Sequence, residues 1–185
     1  RSTLFPYTTL FRSSYLFRNV SIVSTPKDLF FGRHPLYITT RDNKYVSISA
    51  EFTNRTKDQA TNIRVQIIDP DGTMVYDNTM ALKRHKMART QEERIATDVE
   101  IQNPKVWDLD TPYLYIVKAQ LLREDGTVAD EVSDEFGIRT VEFGPEFGLK
   151  LNGKKVLLKG YANHHTLGAL GAAAYPKAIE KRIKL

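Results

Sequence analysis

The sequence predicts an all-β fold of the immunoglobulin-like sandwich class, on three observations. Short segments between Tyr45 and Phe143 alternate apolar and polar residues with a period of two. Turn-forming clusters separate these segments. About seven such strands fall within roughly 100 residues, the density expected of two small sheets packed face to face.

The elements follow in order. Val46, Ile48, Ala50 and Phe52 alternate with Ser47, Ser49, Glu51 and Thr53. Ile63, Val65 and Ile67 alternate with Asn62, Arg64 and Gln66. Both patterns describe strands with one buried face. Asp69-Pro70-Asp71-Gly72 is a turn, because proline presets φ and glycine accepts positive φ. Thr73 to Asp77 then returns as a strand. Met80 to Arg94 is polar and basic, and reads either as a long loop or as a weak edge strand whose cations discourage edge pairing. Ile95, Thr97, Val99 and Ile101 resume the alternation, Tyr113 to Leu122 forms a longer strand ended by Glu124-Asp125-Gly126, and Val128 to Phe143 supplies the last.

Beyond the sandwich the pattern changes. Asn152-Gly153 between Leu149-Lys150-Leu151 and Val156-Leu157-Leu158 is a hairpin signal, since both turn residues tolerate positive φ. Gly168 to Ala174 is small and flexible in composition. Pro176 opens a helix, with Ile179 and Ile183 one turn apart on one face. The expectation is of a chain continuing past Leu185, because a ten-residue helix with an apolar stripe needs a surface to lie on.

Composition sets the outer bounds. The chain has 185 residues, 41% hydrophobic and 26% charged, which is the make-up of a globular protein. No run of 18 apolar residues occurs, so no membrane partner is expected. A net charge of +5, scattered along the chain, argues against a nucleic-acid partner. The cluster Lys177, Lys181, Arg182 and Lys184 reads as a solvated helix face. The absence of cysteine excludes disulfides and thiolate metal sites, and no other metal site is expected. Compartment stays open between periplasmic, secreted and cytoplasmic.

The first thirteen residues, RSTLFPYTTLFRS, lack both a signal-peptide core and a cleavage site. They resemble the translation of a sequencing-library adaptor. The expectation is that residues 1–13 are foreign to the protein and that its natural N-terminus is absent. Without Arg1 and Arg12 the balance is 25 basic against 22 acidic residues.

Three stretches carry a family resemblance: NPKVWDLDTPYLY (Asn103 to Tyr115), EFGIRTVEF (Glu135 to Phe143) and LNGKKVLLKGYANHHTLGALGAA (Leu151 to Ala173). In this order and spacing they resemble glycoside hydrolase family 2, and the third is most similar to its bacterial β-galactosidase branch. FRNVSIVSTP (Phe17 to Pro26) resembles the last strand of the family's N-terminal jelly roll. The resemblance implies four segments: adaptor at 1–13, the end of a sugar-binding jelly roll at 14–36, an immunoglobulin-like sandwich at 37–143, and the start of a (β/α)8 catalytic barrel at 144–185. It implies a retaining glycosidase acting on a β-galactoside-type carbohydrate in carbohydrate metabolism. Oligomerisation of the whole enzyme is left open. So is a divalent cation; no cofactor is assigned to this part of it.

Such enzymes use two carboxyl groups about 5–5.5 Å apart. In the family both are glutamates on later barrel strands, the acid/base following an asparagine. This chain has no Asn-Glu dipeptide, and a barrel needs about 250 residues. No catalytic residue is therefore expected here, and the chain alone should be inactive. Asp134 and Glu135 do not substitute, since adjacent strand residues point to opposite faces. The resemblance assigns substrate binding to His164, at the C-terminal end of the first barrel strand, with Asn163 positioning that loop; His165 carries no assigned role. Tyr161-Ala162 stands where the family has Val-Asn or Val-Cys, and Thr166 where aspartate is common, which bears on sugar specificity. Trp107, the single tryptophan, reads as a core or interdomain anchor before a sugar platform. Arg139 is either a partner for a carboxylate where sandwich meets barrel or an exposed strand arginine. Asn54-Arg55-Thr56 matches the glycosylation sequon. The competing reading of the whole chain is a stand-alone immunoglobulin-like binding or adhesion module with a basic tail.

Overall fold

A computed structural model describes residues 22–56, 61–82, 92–160 and 175–184. Seven strands build the sandwich: β1 (Leu29–Arg41), β2 (Tyr45–Asn54), β3 (Thr61–Ile68), β4 (Met74–Leu82), β5 (Glu92–Glu100), β6 (Tyr115–Leu122) and β7 (Val128–Phe136). A three-stranded sheet has the order β1-β2-β5 and a four-stranded sheet the order β4-β3-β6-β7. All pairings are antiparallel.

The alternation read from the sequence becomes the core. Val46, Ile48, Ala50 and Phe52 face inward from one sheet. Ile63, Val65, Ile67, Val117 and Leu121 face them from the other, each at most 1% exposed. Burial of such a side chain is worth about 1.5–3 kcal/mol. Tyr115 is also buried, its ring 5.6 Å from that of Phe136. Its hydroxyl accepts a hydrogen bond from the Lys105 backbone N–H at 2.8 Å, which removes the cost of burying a phenol.

Several strands differ from the sequence reading. Met80–Leu82 belong to β4, and Glu92–Arg94 to β5, so the edge-strand alternative holds for both ends of that basic stretch. Residues 83–91 lie outside the described residues. Val128 to Phe143 is two strands rather than one. β7 ends at Phe136, and β8 (Val141–Gly144) leaves the sandwich to pair with β9 (Gly148–Leu151), which pairs in turn with β10 (Lys154–Val156). The cause lies at Gly137 and Ile138, where the backbone is drawn against Trp107 and out of the ladder. β1 runs through position 37 without a break in its sheet. It carries an irregularity between Phe31 and Leu36, where Gly32 to Pro35 stand opposite one residue of β2 and His34 takes a φ of 55°. Asp130 Oδ2 accepts the Phe31 N–H there at 2.9 Å, in place of the strand bond lost at the bulge. Residues 22–26 carry no strand, and 17–21 of the jelly-roll-like segment lie outside the described residues.

Ser24–Leu158 form one compact unit. The described part of the other includes helix α1 (Pro176–Ile183), with Pro176 at its first turn as expected and Lys181 and Arg182 in its last, where cations suit the helix dipole.

Candidate functional site

The main polar convergence within the sandwich unit lies where the chain passes from β7 to β8. Trp107, in the loop between β5 and β6, donates its backbone N–H to the carbonyl of buried Ile138 at 2.9 Å. A Cβ on Gly137 would stand 2.8 Å from Trp107 Cβ and Cγ, so the indole needs glycine at this position. The Arg139 guanidinium carbon lies 4.8 Å from the indole centroid, a cation–π contact. Thr40 of β1 holds the Arg139 backbone from the other side: its Oγ1 donates to the Arg139 carbonyl at 2.8 Å and accepts from its N–H at 3.4 Å.

Asn152 closes this network. Its φ is 50°, the turn conformation expected of Asn-Gly. Its backbone N–H donates to the Thr140 carbonyl at 2.8 Å, and its Oδ1 accepts the Thr140 N–H at 3.0 Å. Its Nδ2 donates to the Trp107 carbonyl at 3.0 Å. Thr140 Oγ1 donates in turn to Asn43 Oδ1 at 2.7 Å, in the turn between β1 and β2. Four loops distant in sequence thus meet through amides, hydroxyls, an indole and a guanidinium. These groups bond to one another, so the arrangement fixes the geometry of the junction.

Trp107 and Arg139, singled out separately from the sequence, are therefore brought together. Among the described residues Arg139 has no carboxylate partner; the indole occupies that role. Trp107 is half-buried against backbone, which is the anchor alternative. Asn152, Thr140, Asn43, Thr40 and Gly137 were missed as members of a site. The Asn-Gly pair signalled a turn, but no local pattern marks an asparagine that also bonds a carbonyl 45 positions away.

The substrate-binding candidates His164 and Asn163 lie outside the described residues, as does His165. Among the described residues no group of three His, Asp or Glu side chains is placed to hold a metal ion. Asp134 and Glu135 are exposed on β7, opposite Val117 and Ile116 respectively, with Asp134 Oδ1 accepting the Glu135 N–H at 2.8 Å. The sequon asparagine is occupied: Asn54 Nδ2 donates to Thr61 Oγ1 at 3.1 Å, while Oδ1 accepts from the N–H and hydroxyl of buried Thr56. An open cleft of about 380 Å³ beside the β1 bulge is lined by Arg33, Glu51, Glu93 and Arg94 among others. Arg94 there already donates to Ser49 Oγ at 2.9 Å and lies 3.9 Å from Glu51.

Charge pairs brace the rest of the unit. Asp28 receives a two-pronged contact from Arg123, both bonds 2.9 Å, and these hydrogen bonds hold its carboxyl below the ordinary range. Arg64 does the same for Asp77 across β3 and β4. Lys118 and then Gln120 lower Glu131. Burial raises the Tyr115 phenol.

The fold defines a class: an immunoglobulin-like β-sandwich, with a small three-stranded sheet fixed to it through the Trp107–Asn152 junction. The family model for glycosyl hydrolases family 2 matches residues 34–139, more than half the chain. The chain belongs to that family. It is 29% identical over 177 residues to the β-galactosidase BoGH2A of Bacteroides ovatus, covering 92% of this chain and 20% of that protein. A β-galactosidase of Alteromonas mediterranea is 25% identical over 182 residues, covering 93% and 16%. A solved family 2 glycosyl hydrolase from Bacteroides cellulosilyticus superposes with a TM-score of 0.69 at 29% identity, covering 84% of this chain and 22% of that one. The chain thus spans about a fifth of the length of relatives it matches.

Proposed function

We propose that this chain is the sandwich-centred portion of a retaining β-galactosidase, in which the sandwich is a rigid spacer between a sugar-binding domain and a catalytic barrel. The observation that carries the reading is the similarity along 92% of the chain to a protein named a β-galactosidase, over only 20% of that protein's length. The two catalytic glutamates then belong to the length outside this chain, in keeping with its lack of an Asn-Glu pair. One acts as nucleophile and the other as acid/base on a β-galactoside. In this reading residues 14–36 close the sugar-binding domain, 144–185 begin the barrel, and His164 and Asn163 line the sugar subsite. The spacer role suits a junction whose groups are bonded to one another.

The test is hydrolysis of 4-nitrophenyl β-galactoside by the purified 185-residue chain and by the protein extended through its source reading frame. The short chain should show no turnover and the extended protein should show it. Turnover by the short chain would overturn the placement of the glutamates. An extended protein that prefers the β-glucuronide would overturn the choice of sugar.

A further inference from the structure

Asn152-Gly153 is the one Asn-Gly pair in the chain. Asparagine is a thermolabile residue, and a glycine after it removes the side chain that would obstruct the reaction. The glycine backbone nitrogen is the nucleophile and the asparagine Cγ is its target. The structure treats these two halves differently. Gly153 is exposed, and nothing lies within 4 Å of the place a Cβ would take there. The Asn152 amide, in contrast, is held at both ends. Its Oδ1 accepts the Thr140 N–H at 3.0 Å, and its Nδ2 donates to the Trp107 carbonyl at 3.0 Å. Ring closure must draw Cγ onto the Gly153 nitrogen and expel Nδ2. That gives up the bond to Trp107 and pulls Oδ1 away from Thr140.

We propose that Asn152 is a site of spontaneous deamidation, kept intact by Thr140 and Trp107 and able to react only while the junction is open. The Gly153 nitrogen bonds to Asn152 Cγ and loses its proton. The Cγ–Nδ2 bond breaks, and Nδ2 leaves as ammonia with that proton. Water then opens the cyclic imide. Opening at Cγ yields aspartate. Opening at the main-chain carbonyl yields isoaspartate, in which the chain runs through the side chain and gains one methylene.

Neither product rebuilds the junction. An ionised carboxylate accepts hydrogen bonds and donates none, so it turns an oxygen toward the Trp107 carbonyl in place of the amide donor. Isoaspartate adds an atom to a two-residue turn and draws Lys154 out of register with Leu151. Each event frees the small sheet irreversibly, and product accumulates with the time the junction has spent open.

The experiment is peptide-map mass spectrometry of the purified 185-residue chain kept in mildly alkaline buffer, both folded and unfolded in guanidinium chloride. It reads the gain of one mass unit and the isoaspartate at position 152. The folded chain should deamidate at least about tenfold more slowly, since only its open fraction reacts. Gly137→Ala, which presses on Trp107, and Thr140→Val, which removes the hydroxyl bond to Asn43, should each raise the folded-state rate severalfold and leave the unfolded-state rate unchanged. Circular dichroism verifies that each variant folds; if Gly137→Ala does not, Thr140→Val decides. Asn152→Asp, which installs one product directly, should speed amide exchange over residues 141–156 at least about tenfold. Equal deamidation in the folded and unfolded chains would overturn the proposal, as would folded-state rates indifferent to the junction variants. Unchanged exchange in Asn152→Asp would overturn the release of the sheet.

Discussion

The sandwich and the sheet β8–β10 solve the same problem in opposite ways. The sandwich buries its alternating residues against a second sheet, and its core cluster runs from Leu29 to Ile138. The smaller sheet has Leu151 as its one buried hydrophobic side chain among the described residues, and leaves Phe143 and Val141 open. With so little of its apolar face buried, the sheet gains little stability from apolar area. Its order in this chain comes from polar bonds at Asn152, Thr140 and Trp107. One region is held by apolar area, which is non-directional. The other is held by hydrogen bonds, which set an angle. The proposed spacer role would draw on both: a stable body and an outlet of defined direction.

This contrast can be broken from either side. The largest effect belongs to the core: Ile63→Ala or Leu121→Ala should cost about 2–5 kcal/mol, seen as a lower midpoint in urea for the whole sandwich. Gly137→Ala should cost about 1–3 kcal/mol by overpacking against Trp107, and should shift the fluorescence of that single tryptophan. Asn152→Ala removes both side-chain bonds at the junction and should cost about 1–3 kcal/mol. Its signature is local: faster exchange in residues 141–156 with the β2 and β6 amides unchanged. Uniformly faster exchange would show that the small sheet and the sandwich are one cooperative body.

Arg139→Ala should cost at most about 1 kcal/mol in the isolated chain, read by tryptophan fluorescence, because the cation–π contact is exposed.

The smallest effect is the response to acid. The folded-state pKa of Asp28 is depressed by Arg123, so the pair stabilises the fold above the unfolded carboxylate value of about 3.9. That contribution is lost as pH falls through the lower folded value. Asp77 and Glu131, both held low by their partners, add to the same slope. Asp28→Asn should flatten the dependence of the melting temperature on pH below about 4, modestly, since the pair is partly solvated. An unchanged slope would remove Asp28 from the account.

Much of the sandwich was legible because a strand's alternation is a local fact. Val46 to Phe52 and Ile63 to Ile67 declare which side is buried without reference to any partner. The Asp69–Gly72 and Asn152-Gly153 turns are local too, and so is Pro176. The break at Gly137 was not legible. Phe136, Ile138 and Val141 read as one continuing strand until Trp107, 30 positions earlier in sequence, is seen to sit on the glycine. The assigned sugar-site residues His164 and Asn163 came from motif resemblance, and local pattern alone would not have singled them out.

By itself, the sequence determined the strand faces, the turns, the class of sandwich and the motif set that resembled a glycosidase family, since each depends on residues a few positions apart. Tertiary structure alone decided the sheet orders, the departure of β8 from the sandwich, the stacking of Arg139 on Trp107 and the second role of Asn152. Those depend on contacts between residues dozens of positions apart. Such contacts exist only after burial of the core has brought the loops together.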